Sequence, residues 1–459
     1  MTYAPPWVKK DAVRFPRTIT RPKGSATNKV NGFLSVFGEH TATADARAFS
    51  ALLSHLRSYD GASGQGTVLM VQVENEPGVL ADTRDRSEIA ERLFESEVPH
   101  SFIEKLETAK REGSLNKHIT GNFSVLAKGT GDIPKGKSWP ATFGTGINTD
   151  ELFMAYHYAL FINEVAAAGK AAYDLPMFTN AALRSTSRSI IDNTGGGSEP
   201  GIYPSGGPVE PVMDIYHLFA PSLDFVSPDI YFADYETMCK EYTHRGQALF
   251  VPEQRRDEPG VLRSWLAIGK YGALGTAPFG IDSITASESV YTRHYALIKS
   301  VEQHIHAARQ QGRQVTSFFF DSVPIGEQDK SIPVEAIFGS WKLTIKRQWT
   351  HGHPASGYGM IIQQPHSNDA FLLIGEGFIV AFASTDPQST FTGLTHMHEK
   401  EVVDELTGEL VTKRKFNGDE TGCGQVAIMP SEKPDGGWYP IATYIPSRTR
   451  IAECEVYSI

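Results

Sequence analysis

From about Thr43 the apolar residues Phe49, Leu52, Leu53 and Leu56 recur at i, i+3, i+4 and i+7, the spacing of one helix face. A Gly-rich turn at 61–66 ends that pattern, and residues 67–74 (TVLMVQVE) follow as a nearly unbroken apolar run rich in Val. That composition predicts a strand buried on both faces of a parallel sheet. Helical stretches come next at 87–94 and 102–109. Asp150 is then expected to cap a helix that carries Leu152, Tyr156 and Leu160 on one face. Strand-like runs at 175–180, 224–231, 247–253 and 273–280 are interleaved with a helix near 212–219, and an amphipathic helix covers 287–308. Strands alternating with helices predict βα units on a parallel sheet, with five strands counted from Thr67.

After about Gln310 hairpin signals replace helix signals. Residues 370–383 (AFLLIGEGFIVAFA) read as two short strands around Gly375-Glu-Gly377. Residues 401–416 read as a hairpin turning at Thr407-Gly408, and the chain from Ala442 is strand-like again. The fold class expected is therefore α/β: a (β/α)8 TIM-type barrel domain over 1–315, then an all-β, sandwich-like domain over 335–459.

Two apolar runs end in carboxylates. The first is Val71-Gln-Val-Glu-Asn-Glu-Pro-Gly78, which places Glu74, Asn75 and Glu76 at the C-terminal end of a strand, where a barrel keeps its catalytic residues. Crowding and partial burial there would raise a carboxyl pKa, as a general acid requires. The second is Ala248-Leu-Phe-Val-Pro-Glu253. Two carboxylates from different strands have the layout of a glycosidase pair, although Glu253 read alone fits a loop salt bridge with Arg255 or Arg256 better.

The segment VQVENEPG resembles the signature of family 35 glycoside hydrolases, the β-galactosidase family. PPWVKKD near the start, FMAYHYA (153–159), LPMFTNAAL (175–183), YPSGGP (203–208), SPDIY (227–231) and FVPE (250–253) are similar to a largely bacterial branch of it. That branch carries a β-rich domain of obscure function after the barrel, and RKFNGDETG (414–422) resembles this part. The resemblance implies a retaining hydrolase of terminal β-galactosides or related β-glycosides, with Glu76 as acid/base and Glu253 as nucleophile. It also implies that Asn75 bonds a sugar 2-hydroxyl, that Tyr231 holds Glu253, and that Asn180 is a weaker candidate for a sugar hydroxyl. Trp139, Tyr203 and Phe279 are candidate stacking faces, each equally at home in a core. No metal and no organic cofactor is implied.

By the same resemblance, residues 5–40 correspond to the loop after a third barrel strand, so the barrel is expected to be incomplete at its N-terminus. A fragment or misassigned start is the favoured explanation, ahead of completion by another polypeptide and of a degenerate protein. The alternative function is a non-catalytic carbohydrate-binding or vestigial protein.

Composition narrows the partners. A net charge of -10 without a basic run argues against nucleic acid or an anionic membrane and leaves a neutral small molecule or polymer; the family resemblance implies that this partner is a carbohydrate, with the oligomeric state open. Three scattered cysteines form neither a disulfide framework nor a zinc site, and alternation puts Cys454 on the apolar face of a strand. The first residues lack the apolar core of a signal peptide, and no apolar run approaches the ~20 residues of a membrane span. Gly195-Gly-Gly197 lacks the Lys-Ser/Thr of a phosphate loop, and Ser205 does not sit in a Gly-x-Ser-x-Gly elbow. The pairs His351/His353 and His396/His398 lack a third metal ligand.

Overall fold

Four strands, Val71–Gln72, Met177–Ala182, Phe225–Ile230 and Val251–Gln254, lie side by side in chain order. The first three are in parallel register, Val71 opposite Met177 and Phe178 opposite Phe225. This computed structural model describes residues 4–61, 64, 66–184, 197–321, 323, 327–432, 440, 442 and 444–459. Gly195 and Gly196 of the glycine triplet lie outside the described residues. The chain forms two compact units, Met1–Glu253 and Gln254–Ile459. The first is a mixed α/β unit on a parallel half-barrel sheet.

Burial follows position in the sheet. Phe225–Ile230 has a neighbour on each side and every residue is buried. Val71–Gln72 is the edge strand, held by Val71 N–H to Pro176 O at 3.0 Å and Val73 N–H to Phe178 O at 2.7 Å. The expectation of a strand buried on both faces over 67–74 is thereby corrected. Only Val73 in that run is buried, and Leu69 is 71% exposed. Apolar composition records a preference for burial, not which edge of a sheet finds a partner.

The helix Ile147–Ala172 starts at Gly146, so Asp150 lies inside its first turn and does not cap it. Its carboxylate serves the neighbouring loop instead: Thr83 Oγ1 donates at 2.5 Å, and Arg84 Nε and Arg86 Nη2 at 3.1 Å. Leu152 and Tyr156 are buried while Leu160 is 40% exposed. The helix packs on Glu39–Leu56 and on Met213–Phe219. Gly169 packs against the former: a Cβ there would stand 2.3 Å from the Phe49 ring. Gly169→Ala is expected to cost about 1–3 kcal/mol of stability through this overlap. Measured by urea unfolding, adding Phe49→Ala should cancel most of that loss; two costs that simply add would contradict the contact.

In the second unit two antiparallel sheets face one another across a shared core. The four-stranded sheet runs Val426–Met429, Phe378–Ser384, Trp341–Arg347, Val334–Phe338. The six-stranded sheet runs Glu409–Lys415, Thr392–Asp404, Ile451–Ser458, Ala370–Glu376, Tyr358–Gln363, Val315–Phe319. Phe371 and Leu373 point into the core shared with Phe378, Val380 and Leu343. Their neighbours Leu372 and Ile374 point the other way, onto Leu262, Trp265, Ile298 and Ile305 of the helices Glu258–Gly269, Val290–Ser300 and Glu302–Gln310. Ala370–Glu376 is therefore buried on both faces, which explains its unbroken apolar sequence.

The two strands read around Gly375-Glu-Gly377 are present but unpaired with each other: one belongs to each sheet, and the chain crosses between sheets at Gly377. The hairpin turning at Thr407-Gly408 pairs Thr392–Asp404 with Glu409–Lys415. The single helix expected over 287–308 is two, separated at Val301. The last expected βα strand is a three-residue segment, Thr276–Pro278. Cys454 is a buried free thiol facing the shared core. No helix among the described residues is long and apolar enough to cross a membrane.

Candidate active site

The site is built on strand ends of the first unit. After Val73 the backbone turns through two left-handed residues, Glu74 at φ 59° and Glu76 at φ 45°. Such angles are uncommon for residues with a Cβ and cost of order 1–3 kcal/mol where held. Two features hold them here. Gly78, at φ 147°, passes so close to Pro204 that a Cβ would fall 2.5 Å from its backbone carbon. Beyond it, Asp82, Arg84, Arg86 and Asp150 form an ion-pair network with contacts of 2.8–3.1 Å that ties residues 82–86 to the long helix.

Asn180, on the next strand and fully buried, is the hub. Its Oδ1 accepts the Glu76 backbone N–H at 2.9 Å, which fixes the amide orientation because only the oxygen can accept. Its Nδ2 then donates to Asn75 Oδ1 at 3.1 Å and to Asp229 Oδ2 at 2.7 Å. Asn180 is thus drawn into the site but is not a sugar contact, as had been expected of it: its N–H groups are spent inside the protein. Asn75 is exposed, and its Oδ1 also receives Gln72 Nε2 at 3.1 Å. With its Oδ1 occupied by these two donors, the group Asn75 has left to offer is the Nδ2 donor.

Across the sheet, Tyr231 donates its hydroxyl to Glu253 Oε2 at 2.6 Å. Burial, and then this bond to Glu253, raise the Tyr231 phenol well above its ordinary value, so it stays a donor. One oxygen each from Glu76, Asp229 and Glu253 lie within 4.8 Å of one another. Burial pushes the Glu76 carboxyl up and the Glu253 charge adds to that, while a hydrogen bond with Asp229 works in the opposite direction. Asp229 is held well above the carboxylate range by burial and by the charges of Glu253 and Glu76. The spacing would suit a small cation as well as a proton.

Other expected residues stand apart. Glu74 turns its carboxyl away from the cluster, toward Asp45 in a cavity of about 260 Å³ that Phe33, Tyr158 and Phe161 also line. Glu74 is exposed as a residue, but its carboxyl is enclosed by the walls of that cavity, and this desolvation, followed by the Asp45 carboxyl, raises it well above its ordinary value. Trp139 is 1% exposed and packed among Phe102, Phe143, Phe153 and Tyr156, with no face left for a sugar ring. It is a core residue, contrary to expectation. Tyr203 is equally buried and bonds Glu151, and Phe279 lies in the second unit. Asp229 is the residue that sequence reasoning passed over. Its signal was available: in the strand expected over 224–231 it stands two positions before Tyr231, hence on the same face, although the strand itself ends at Ile230.

A family model described as a domain of unknown function (DUF5597) matches residues 291–427. This agrees with the expectation of a β-rich part of obscure function toward the C-terminus. No curated protein matches the chain. Among solved structures, the catalytic domain of β-amylase from Paenibacillus polymyxa is similar at 12% identity and a TM-score of 0.37, over 61% of this chain and 71% of that one. A likeness of that size carries no argument about fold or activity.

Proposed function

We propose that the chain carries the catalytic pair of a retaining β-glycosidase of the β-galactosidase type. Glu253 is the nucleophile and Glu76 the acid/base. The observation that carries this reading is the convergence of Glu76 and Glu253 from separate strands, with oxygens within 4.8 Å. Retaining enzymes keep their two carboxyls ~5–5.5 Å apart, whereas inverting ones leave room for water at ~6.5–9.5 Å. The environments of the two also divide the roles. Tyr231 stabilises Glu253 as an anion and aims it, while burial and the neighbouring charge favour the protonated form of Glu76.

On this reading Glu253 attacks the anomeric carbon while Glu76 protonates the departing oxygen, and Glu76 then takes a proton from the water that releases the sugar. The Asn75 amide donates to the 2-hydroxyl, a contact that strengthens as positive charge builds on the ring. The parallel half-barrel is read as part of a (β/α)8-type barrel, with a catalytic domain to about residue 315 and the β-rich domain from about 335. The galactoside preference rests on the family resemblance alone.

The test is hydrolysis of a panel of aryl β-glycosides, with the anomer of the first-formed sugar followed by NMR. Turnover fastest on the galactoside, with β product formed first, is expected. α product would exclude double displacement. Binding of sugar without turnover by the folded chain would favour the non-catalytic, carbohydrate-binding reading.

A further inference from the structure

We propose that Asp229 is the proton partner of Glu76: the two carboxyls hold one proton in common beside an ionised Glu253. The inference rests on the glycosidase reading above and adds to it a third carboxyl that acts only through Glu76. Asp229 is therefore a positioning residue.

The argument begins with donors. Asp229 is 4% exposed, and its two oxygens are treated differently. Oδ2 accepts the Asn180 amide at 2.7 Å. Oδ1 is buried and receives no N–H or O–H donor among the described residues. The neighbour it has is another carboxyl: one oxygen each of Asp229 and Glu76 stand within 4.8 Å of one another. An acceptor facing an acceptor is repulsive, and a buried carboxylate left in that state would cost several kcal/mol. One proton between them turns the repulsion into a charge-assisted hydrogen bond. Glu253 needs no such proton, since Tyr231 already supplies its Oε2 with a donor at 2.6 Å.

The titratable groups around Asp229 agree with this placement. Glu76 faces it from the loop after the edge strand and Glu253 from the next strand, both carboxyls. Tyr231, just past the end of its own strand, and Tyr242, after the helix Tyr235–Glu241, are phenols that burial keeps protonated, with the Asp229 charge a smaller contribution to each. Two neighbouring carboxyls and two neutral phenols make loss of the shared proton unfavourable.

The reaction balances with one shared proton. Before reaction the three carboxyls carry two negative charges, one on Glu253 and one on the Glu76–Asp229 pair. As Glu253 bonds the anomeric carbon and the bond to the leaving oxygen breaks, the shared proton passes through Glu76 to that oxygen. Glu253 is then a neutral ester, and Glu76 and Asp229 are both ionised. The cluster still carries two charges, so the buried site undergoes no net charging. Two adjacent carboxylates make a stronger base than one. The pair then takes a proton from water, whose oxygen bonds the anomeric carbon as Glu253 leaves with its electron pair.

The experiment compares the pH dependence of kcat/KM for wild type and Asp229→Asn. Two aryl β-galactosides are used, one with a phenol leaving group that needs protonation and one with a dinitrophenol that does not. The asparagine still donates to Glu76 but removes the second carboxyl. On the phenyl substrate the alkaline limb is expected to move down by about one pH unit or more. On the dinitrophenyl substrate the two enzymes should agree within about threefold, because that step needs little acid help. A variant that is lower in activity with both limbs unmoved would overturn the inference and leave the glycosidase reading intact. A folded wild type that hydrolyses neither substrate would overturn both. Should Asp229→Asn fail to fold, ¹³C-carboxyl NMR of wild type decides. Two carboxyls titrating jointly, the last proton leaving above the ordinary carboxylate range, support the shared proton; independent loss of both protons within that range overturns it.

Discussion

Glu253→Gln is expected to lower kcat on an aryl β-galactoside by about 10⁴-fold or more, equivalent to ~5 kcal/mol of transition-state stabilisation, with KM little changed. The amide is isosteric, so Tyr231 can still reach it and the sheet should be undisturbed. What disappears is the electron pair that bonds the anomeric carbon. A smaller variant, Glu253→Ala, opens that position to an added anion. With azide it should recover turnover and yield the α-glycosyl azide, because the anion enters from the face that Glu253 occupied. Mass spectrometry and NMR of the product check this. A β-azide would instead identify Glu253 as the acid/base and reverse the assignment.

A second large effect is expected on stability. Glu151, on the helix Ile147–Ala172, is fully buried. Tyr203 and the Gly206 N–H bond its carboxyl, but its Oε1 has no partner, and burial pushes it from 4.5 up to about 7. The folded chain therefore keeps this proton over a range where the unfolded chain has released it. The stabilisation is complete below about pH 4.5 and is lost as pH rises through about 7, a change of about 3 kcal/mol from this group. Glu210 and Asp229 are pushed the same way by burial, so they add to the trend. Urea unfolding between about pH 5 and pH 8 should show stability falling with pH, and Glu151→Gln should flatten the curve. An unchanged slope in the variant would show that Glu151 is ionised in the fold.

These two residues mark what the sequence discloses and what it does not. Glu76 and Glu253 stand out in the sequence as candidates because each ends an apolar run, but Glu253 alone also fits a loop salt bridge, and the roles proposed for the two come from the family resemblance. Asn180 and Asp229 were harder to place. Within a strand, sequence alone does not distinguish a polar residue that faces substrate from one that braces its neighbours. Trp139 was misread for a related reason: an aromatic side chain suits a sugar face and a core equally, and only its four ring neighbours decide. The run 67–74 looked doubly buried because periodicity describes one strand, whereas burial depends on which strands flank it. Likewise 370–383 was read correctly as two strands, but their separation into facing sheets depends on pairings more than 50 residues away, such as Phe371 with Cys454.

The measurement that bears most directly on the central claim is covalent trapping. A 2-deoxy-2-fluoro-β-galactoside with a good leaving group slows the release of a glycosyl-enzyme more than its formation, because the fluorine destabilises positive charge on the ring. The account predicts that the chain gains the mass of one fluorosugar and that peptide sequencing places it on Glu253. A label on another carboxyl, or steady turnover of β-galactosides with no label formed, would contradict it.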